Sequence, residues 1–480
     1  MKRVKSLICC IIIMAVSMCP LLGCSSEESD TVILRICNWE EYIDEGGWTE
    51  EDAIELADGT IIQPETSIVE NFEQWYYEEF GQKVRVEYST FGTNEELYNQ
   101  MTLGDEYDLV CPSEYMIMKL MMEDYIQPFS DEFMDESNEN NYYIKGLSPY
   151  IRTVYDDLKI NGQPLSQFAA GYMWGTLGIV YNPDEVTDEE AASWSILNNK
   201  KFKKQITIKD SVRDAFFAGI SMLNEKKITS REFLDSDNYH NNLSATLNDT
   251  SKETVDAVGN ILSEIKDNVY SFETDSGKAD MATGKVVANM QWSGDAVYTL
   301  NEAEADDLYL CYSAPEESVN MWFDGWCMMK NGINKDERKR HAAESFINFV
   351  SMPENAIRNM YYIGYTSVIS GGENDQILQY ADYCYGADED VAKEAQDELV
   401  EYPLDYFFAG TDNKTNSDEE VSEYSITTLK EQTKRQLFAQ YPTEDVIKRS
   451  VVMTYFNKDG NQRINQMWTD VRCFDLKKLW

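Results

Sequence analysis

Four short runs of the sequence set aromatic rings beside carboxylates: Asn38-Trp39-Glu40-Glu41-Tyr42, Pro112-Ser113-Glu114-Tyr115, Gln291-Trp292-Ser293-Gly294-Asp295 and Met321-Trp322-Phe323-Asp324. This pairing suits a linear polyammonium ligand. Its methylenes bury against ring faces, each ammonium gains about 0.5–2 kcal/mol from a ring by cation–π attraction, and carboxylates accept charge-assisted hydrogen bonds at the ends. Stacked tryptophans with acids also suit an oligosaccharide, and a carboxylate pair such as Glu40 and Asp324 is what a surface glycosidase needs. Each run alone has a plainer account as core aromatics with a capping acid. Asp295, for instance, stands where it can N-cap a helix starting at Ala296.

Other chemistry is poorly supplied. The chain has no H-E-x-x-H, G-x-S-x-G, Walker A or G-x-G-x-x-G motif, and its two histidines are His240 and His341. His341 opens an amphipathic run (Ala342, Phe346, Phe349, Val350), where a surface role is expected. The cysteines beyond residue 30, Cys37, Cys111, Cys311, Cys327, Cys384 and Cys473, form no C-x-x-C pair, so neither a metal site nor a redox motif is indicated and no cofactor is expected. Cys37 and Cys111 lie in strand-like runs that could be sheet neighbours; a disulfide between them stays open, with buried free thiols the favoured state.

The N-terminus reads as an export signal. Lys2, Arg3 and Lys5 precede an apolar run from Leu7 to Met18 that is short for a transmembrane helix, and Leu21-Leu22-Gly23-Cys24 matches a lipobox, so residues 1–23 are expected to be cleaved and Cys24 to carry lipid. Ser25 to Asp30 then forms a polar tether. Loss of those three basic residues takes the formal charge from −45 to −48. A field of that sign excludes nucleic acid as a partner and keeps the protein off anionic lipid except at its anchor. The expected location is the outer face of the cell membrane, or its periplasmic side in a Gram-negative envelope.

About 450 residues follow the tether, enough for two or three cores. Val32 to Cys37 reads as a buried strand. Ser67 and Glu70 form a capping box ahead of a helix that Gly81 closes; Val84 to Tyr88 alternates as a strand; Thr93 and Glu96 cap a second helix; Asp108 to Cys111 is the next strand. This is the parallel α/β pattern, whose ligands sit beyond the carboxyl ends of the strands, which points to the loops after Cys37 and Cys111. A second α/β stretch runs from Ala169 to Tyr312, with strands at Ile206–Ile208 and Val286–Met290. Cys327 to Tyr362 gives a strand and two helices, the second opening at Pro353. Residues 44–65 and 371–421 are acidic and Gly-containing, and are expected to be surface excursions rather than core.

Taken in order, these runs resemble the spermidine/putrescine-binding proteins of bacterial ABC importers, within the two-lobed type II solute-binding superfamily. The likeness covers Asn38-Trp39 to Tyr42, Asp108 to Met116, Trp174-Gly175-Thr176 through Tyr181-Asn182, Asp210 to Asp214, Trp292 to Asp295, Trp322-Phe323-Asp324 and Ile363 to Thr366. It implies an α/β fold of two lobes, each a mixed sheet flanked by helices: 31–168 with 325–370, and 169–324, joined by a hinge, with 371–480 packing on both. It further implies a cleft in which Trp39, Tyr42, Tyr115, Trp292, Trp322 and Tyr365 box a polyamine, Glu41, Asp214 and Asp324 receive its amines, and Ser113 lines the wall. Asp210 is a further candidate, since four-residue spacing to Asp214 would place both carboxylates on one helix face. Two departures stand out: Glu40 replaces a threonine, and Met453 falls where a glutamine is expected. The implied partners are a polyamine and an importer permease, and the receptor is expected to act as a monomer without catalysis.

Overall fold

In the computed structural model, residues 31–371, 375–388, 392–393, 395–411 and 422–473 are described. Residues 1–30, on which the expected signal peptide, lipidated Cys24 and tether fall, lie outside them.

The helix Ile68–Phe80 begins as its sequence dictates: Ser67 Oγ accepts from the Glu70 amide, the Glu70 carboxylate accepts from the Ser67 amide, and Gly81 closes it with φ 65°. Its apolar stripe, Ile68, Phe72 and Tyr76, is buried. The next helix, Asn94–Leu103, is N-capped by Thr93, while Glu96 reaches one residue further back, to the amide of Gly92. Between these helices Val84–Phe91 pairs in parallel with Val32–Trp39, which pairs in turn with Leu109–Val110. Cys37 and Cys111 are backbone neighbours, the Cys111 amide donating to the Cys37 carbonyl, and both remain free, buried thiols.

Two long strands carry the chain between lobes. Ala170–Tyr181 and Val319–Met329 are buried throughout and pair antiparallel from Met321/Thr176 to Trp326/Ala170, with a bulge at Asp324/Gly325. Tyr172 to Trp174, Met321 and Phe323 pack in the core of the first lobe; Leu177 and Ile179 pack in the core of the second. Cys327 and Met328 pair with Leu109–Val110, while Leu177 to Tyr181 pair with Ala288–Trp292, itself beside Ile206–Lys209. One twisted sheet thus runs through both lobes, so small changes within two continuous strands can change the lobe angle. The strand expected at Val286 begins at Ala288 and extends to Trp292.

The two acidic stretches are more than surface excursions. Ile54, Leu56 and Ile62 enter the first core, as do Tyr402, Leu404 and Phe407, whose ring stacks on Trp174 at 5.7 Å. The many Asp and Glu residues around these apolar ones hide this role from a composition-based reading. The 44–65 segment folds onto the helices Pro353–Ile363 and Gln376–Tyr385. Arg358 clamps Asp44, with both side chains nearly inaccessible; Trp48 packs on Tyr361 at 4.7 Å; and Gln376 donates to Asp58 and Thr60. His341 lies one turn inside the helix Glu337–Val350 and is solvent-exposed, its Nδ1 at 2.8 Å from the Tyr76 hydroxyl.

Candidate functional site

Asp324 sits at the bulge of a fully buried strand, and its backbone bridges to Ser113 at the head of the helix Glu114–Met122. Its carboxylate accepts from the Ser113 hydroxyl at 2.7 Å and the Tyr42 hydroxyl at 2.8 Å. Ser113 is the N-cap residue of that helix, yet its hydroxyl makes no cap bond, because it is turned to Asp324 and held by Asn94 Nδ2 at 3.1 Å. The Trp39 indole N–H leans toward the same carboxylate without closing a hydrogen bond. Burial lifts Asp324 to about 6, against the opposing pull of Ser113, Tyr42 and Trp39. None of the ion pairs among the described residues includes Asp324.

Rings enclose this carboxylate. Tyr42 lies edge-on to Tyr172 and to Tyr365, each at 5.6 Å, and Tyr365 meets Trp322 at 5.3 Å. Tyr365 reaches across to the second lobe, donating to Asp295 at 3.0 Å. It can do so because residue 294 is glycine: a Cβ there would stand 1.2 Å from Tyr365 Cδ1. Asp295 is not an N-cap. The helix starts at Ser293, so Asp295 occupies its first turn, with its carboxylate turned to Lys209 and Tyr365.

Beyond Asp295 two cations of the chain itself complete the arrangement. Lys209 is 2% exposed, donates to Asp295 at 2.9 Å and to the Thr274 carbonyl at 3.1 Å, and sits 4.6 Å above the Trp292 ring. Arg213 is sandwiched between Tyr115 at 4.1 Å and Phe456 at 4.4 Å, and donates to the Thr454 carbonyl. Glu114, buried in the first lobe, is pushed up to about 8 by desolvation, with Arg213 opposing. Burial likewise raises Asp214, which faces Ser211, Trp292 and Lys209. Asp295 goes the other way: Lys209 and Lys278 outweigh its burial and hold it below the usual carboxylate range. Nothing local in the sequence marks Lys209 or Arg213 as part of the site, because a basic residue beside acids reads as a solvated pair until burial is known.

The structure therefore gathers Trp39, Tyr42, Ser113, Trp322, Asp324 and Tyr365, with Tyr115, Trp292 and Asp214 alongside through Arg213 and Lys209. It separates two candidates. Asp210 precedes the helix Val212–Ile228 rather than sharing a face with Asp214, because Ser211 takes the N-cap conformation between them; its carboxylate pairs with Arg472 of the C-terminal helix instead. Glu41 is exposed, with φ 53°, and acts electrostatically on Tyr298 of the second lobe and Tyr362 of the first. Glu40 is also exposed, so it does not share the buried environment of Asp324. Met453 is buried in the second core. Gln440 is the glutamine near the cluster, donating to the Gly364 carbonyl beside Tyr365.

A family model for bacterial extracellular solute-binding proteins matches residues 67–381. The chain belongs to this family. Among curated relatives of the solute-binding protein, the spermidine/putrescine-binding periplasmic protein of Escherichia coli is 26% identical over 284 residues, 59% of this chain and 70% of that one. The putrescine-binding periplasmic protein PotF of the same organism is 26% identical over 355 residues, 71% of this chain and 78% of its own. Among solved structures, the spermidine/putrescine transporter substrate-binding protein PotD of Streptococcus pneumoniae superposes with a TM-score of 0.56 at 23% identity, covering 92% of this chain and 98% of that one. A spermidine/putrescine transporter protein of Listeria monocytogenes gives 0.57 at 23%, over 92% and 99%. The shared architecture is the two-lobed type II binding-protein fold, and the family role is that of a substrate-binding receptor. Among the described residues no helix is long and apolar enough to cross a membrane.

Proposed function

We propose that this receptor captures a polyamine, spermidine or putrescine, between its lobes and delivers it to the permease of an ABC importer. The observation that carries the reading is Asp324. A buried carboxylate fixed by two hydroxyls, ringed by Trp322, Tyr42, Tyr365 and Trp39, and outside every protein ion pair among the described residues is a receptor for an incoming ammonium. Burying an unpaired charge is costly, and an ammonium ligand relieves that cost. The printed names of the relatives agree with this choice of ligand. Closure follows from contacts that join the lobes, Tyr365 to Asp295 and Arg213 on Tyr115.

Calorimetry on residues 31–480 tests the reading. Putrescine or spermidine binding at micromolar or better, weakening as NaCl rises, is expected. An oligosaccharide receptor of the same fold would bind sugars with little salt dependence, and absence of amine binding at millimolar concentration would reject the polyamine assignment. The same proposal places the protein outside the cell on a lipid at Cys24, held by its 24–30 tether, and has it act as a monomer. A Cys24→Ser variant should then leave the membrane fraction and appear in the soluble extracytoplasmic fraction.

A further inference from the structure

Asp324 and Asp295 mark two ends of one cluster, linked through Tyr42 and Tyr365: Tyr42 donates to Asp324, the two rings pack at 5.6 Å, and Tyr365 donates to Asp295. The ends differ in what neutralises them. Asp324 receives hydroxyls only. Asp295 receives Lys209 at 2.9 Å, has Lys278 at 3.8 Å, and is bonded by Tyr365 as well.

The environment of Lys209 Nζ is that of a bound ligand ammonium. It is almost wholly inaccessible, lies over an indole face at 4.6 Å, donates to a carboxylate and a carbonyl, and has a second carboxylate, Glu273, at 3.9 Å. Lys209 ends its strand, Ile206–Lys209, and Glu273 is itself 5% exposed and accepts from the Gly277 amide. A surface lysine has no reason to be so enclosed. Arg213 treats Tyr115 in the same way. Two aromatic faces and one terminal carboxylate are therefore already served by cations of the chain.

We infer that Lys209 is a tethered ammonium that fills one end of the polyamine site, so that this receptor selects a short diamine over a triamine. The inference rests on the polyamine reading and sharpens it. A diamine brings one ammonium to Asp324 and leaves the Lys209–Asp295 pair intact. A longer triamine must push a third ammonium toward a carboxylate that Lys209 and Lys278 already neutralise, and meets like charge there.

The test is a length series measured by calorimetry on the wild-type receptor: putrescine, spermidine and spermine at one salt concentration. Putrescine binding at least tenfold tighter than spermidine is expected. Spermidine binding equal or tighter overturns the inference while leaving the polyamine reading in place, whereas no binding of any amine overturns both. Two variants then address Lys209 itself. Lys209→Ala frees the space and the carboxylate, and Lys209→Met keeps the apolar stem while removing the charge. In Lys209→Ala the putrescine-to-spermidine ratio should fall at least tenfold, with a smaller fall in Lys209→Met, where the stem still occupies space. A folded variant, verified by its melting curve, with an unchanged ratio removes Lys209 as the determinant. The wild-type series decides the selectivity whether or not either variant folds.

Discussion

Tyr365 and Asp295 tie the two lobes together: a phenol packed on the first core donates at 3.0 Å to a carboxylate on the helix Ser293–Ala305 of the second lobe, 70 residues away in sequence. Tyr365→Phe keeps the ring against Tyr42 and Trp322 and removes only this bond. A hydrogen bond to a charged group contributes roughly 1.5–3 kcal/mol, so ligand affinity should fall about tenfold or more with the melting temperature little changed. Calorimetry at wild-type affinity would show that this contact does not stabilise the closed form.

Gly294 allows Tyr365 its position. A Cβ at 1.2 Å from Cδ1 cannot be accommodated by small shifts, so Gly294→Ala must displace the ring. Ligand binding should drop at least a hundredfold, and stability by roughly 1–3 kcal/mol, the usual range for overpacking. Denaturant titration and calorimetry read the two effects separately.

Asp324→Asn should separate stability from function. The carboxylate is lifted to about 6 by burial, so at pH 7 the ligand-free fold carries a charged group that the unfolded chain solvates better. Asparagine removes that burden and keeps partners for Ser113 and Tyr42. Its ligand-free melting temperature should rise by a few degrees while polyamine affinity falls at least a hundredfold. A variant that binds normally would remove Asp324 from the ammonium site.

The pH dependence follows with opposite signs for the two processes. Ammonium binding needs ionised Asp324, so affinity should decline as pH falls through about 6, approaching tenfold per unit below it. For folding, both Asp324 and Glu114, lifted to about 6 and about 8, bind protons more readily when folded than when unfolded. Their contribution to stability is fully present below the unfolded carboxylate range near 4 and is lost as pH rises through those folded values. The ligand-free receptor should therefore resist denaturant better at pH 5.5 than at pH 8.5, and Asp324→Asn should flatten part of that slope.

The buried Arg358–Asp44 pair sets the position of the 44–65 segment. Arg358→Met leaves Asp44 buried without its cation and should cost roughly 3–5 kcal/mol, measured by denaturant unfolding. Exposed pairs such as Arg231–Asp235 should contribute little by comparison.

Much of the scaffold is legible in the sequence, because its signals are local. The Ser67–Glu70 capping box, Gly81 and the apolar stripe of Ile68, Phe72 and Tyr76 lie within a few residues of one another, and backbone hydrogen bonding within that span decides the helix. The aromatic and acidic runs at strand ends were visible for the same reason. The four-residue spacing of Asp210 and Asp214 gives no shared helix face, because Ser211 takes the N-cap position and the helix runs from Val212.

The sequence by itself determined the α/β element order and the placing of aromatic rings beside carboxylates at the ends of its strands. Only the tertiary structure decided which charges in that site are already neutralised. Lys209 lies 86 residues from Asp295 and Arg213 lies 98 from Tyr115, and the strength of each pair depends on burial and distance, which no local pattern encodes. A carboxylate in the sequence is only a negative charge; the fold makes Asp295 a satisfied partner and Asp324 an open one.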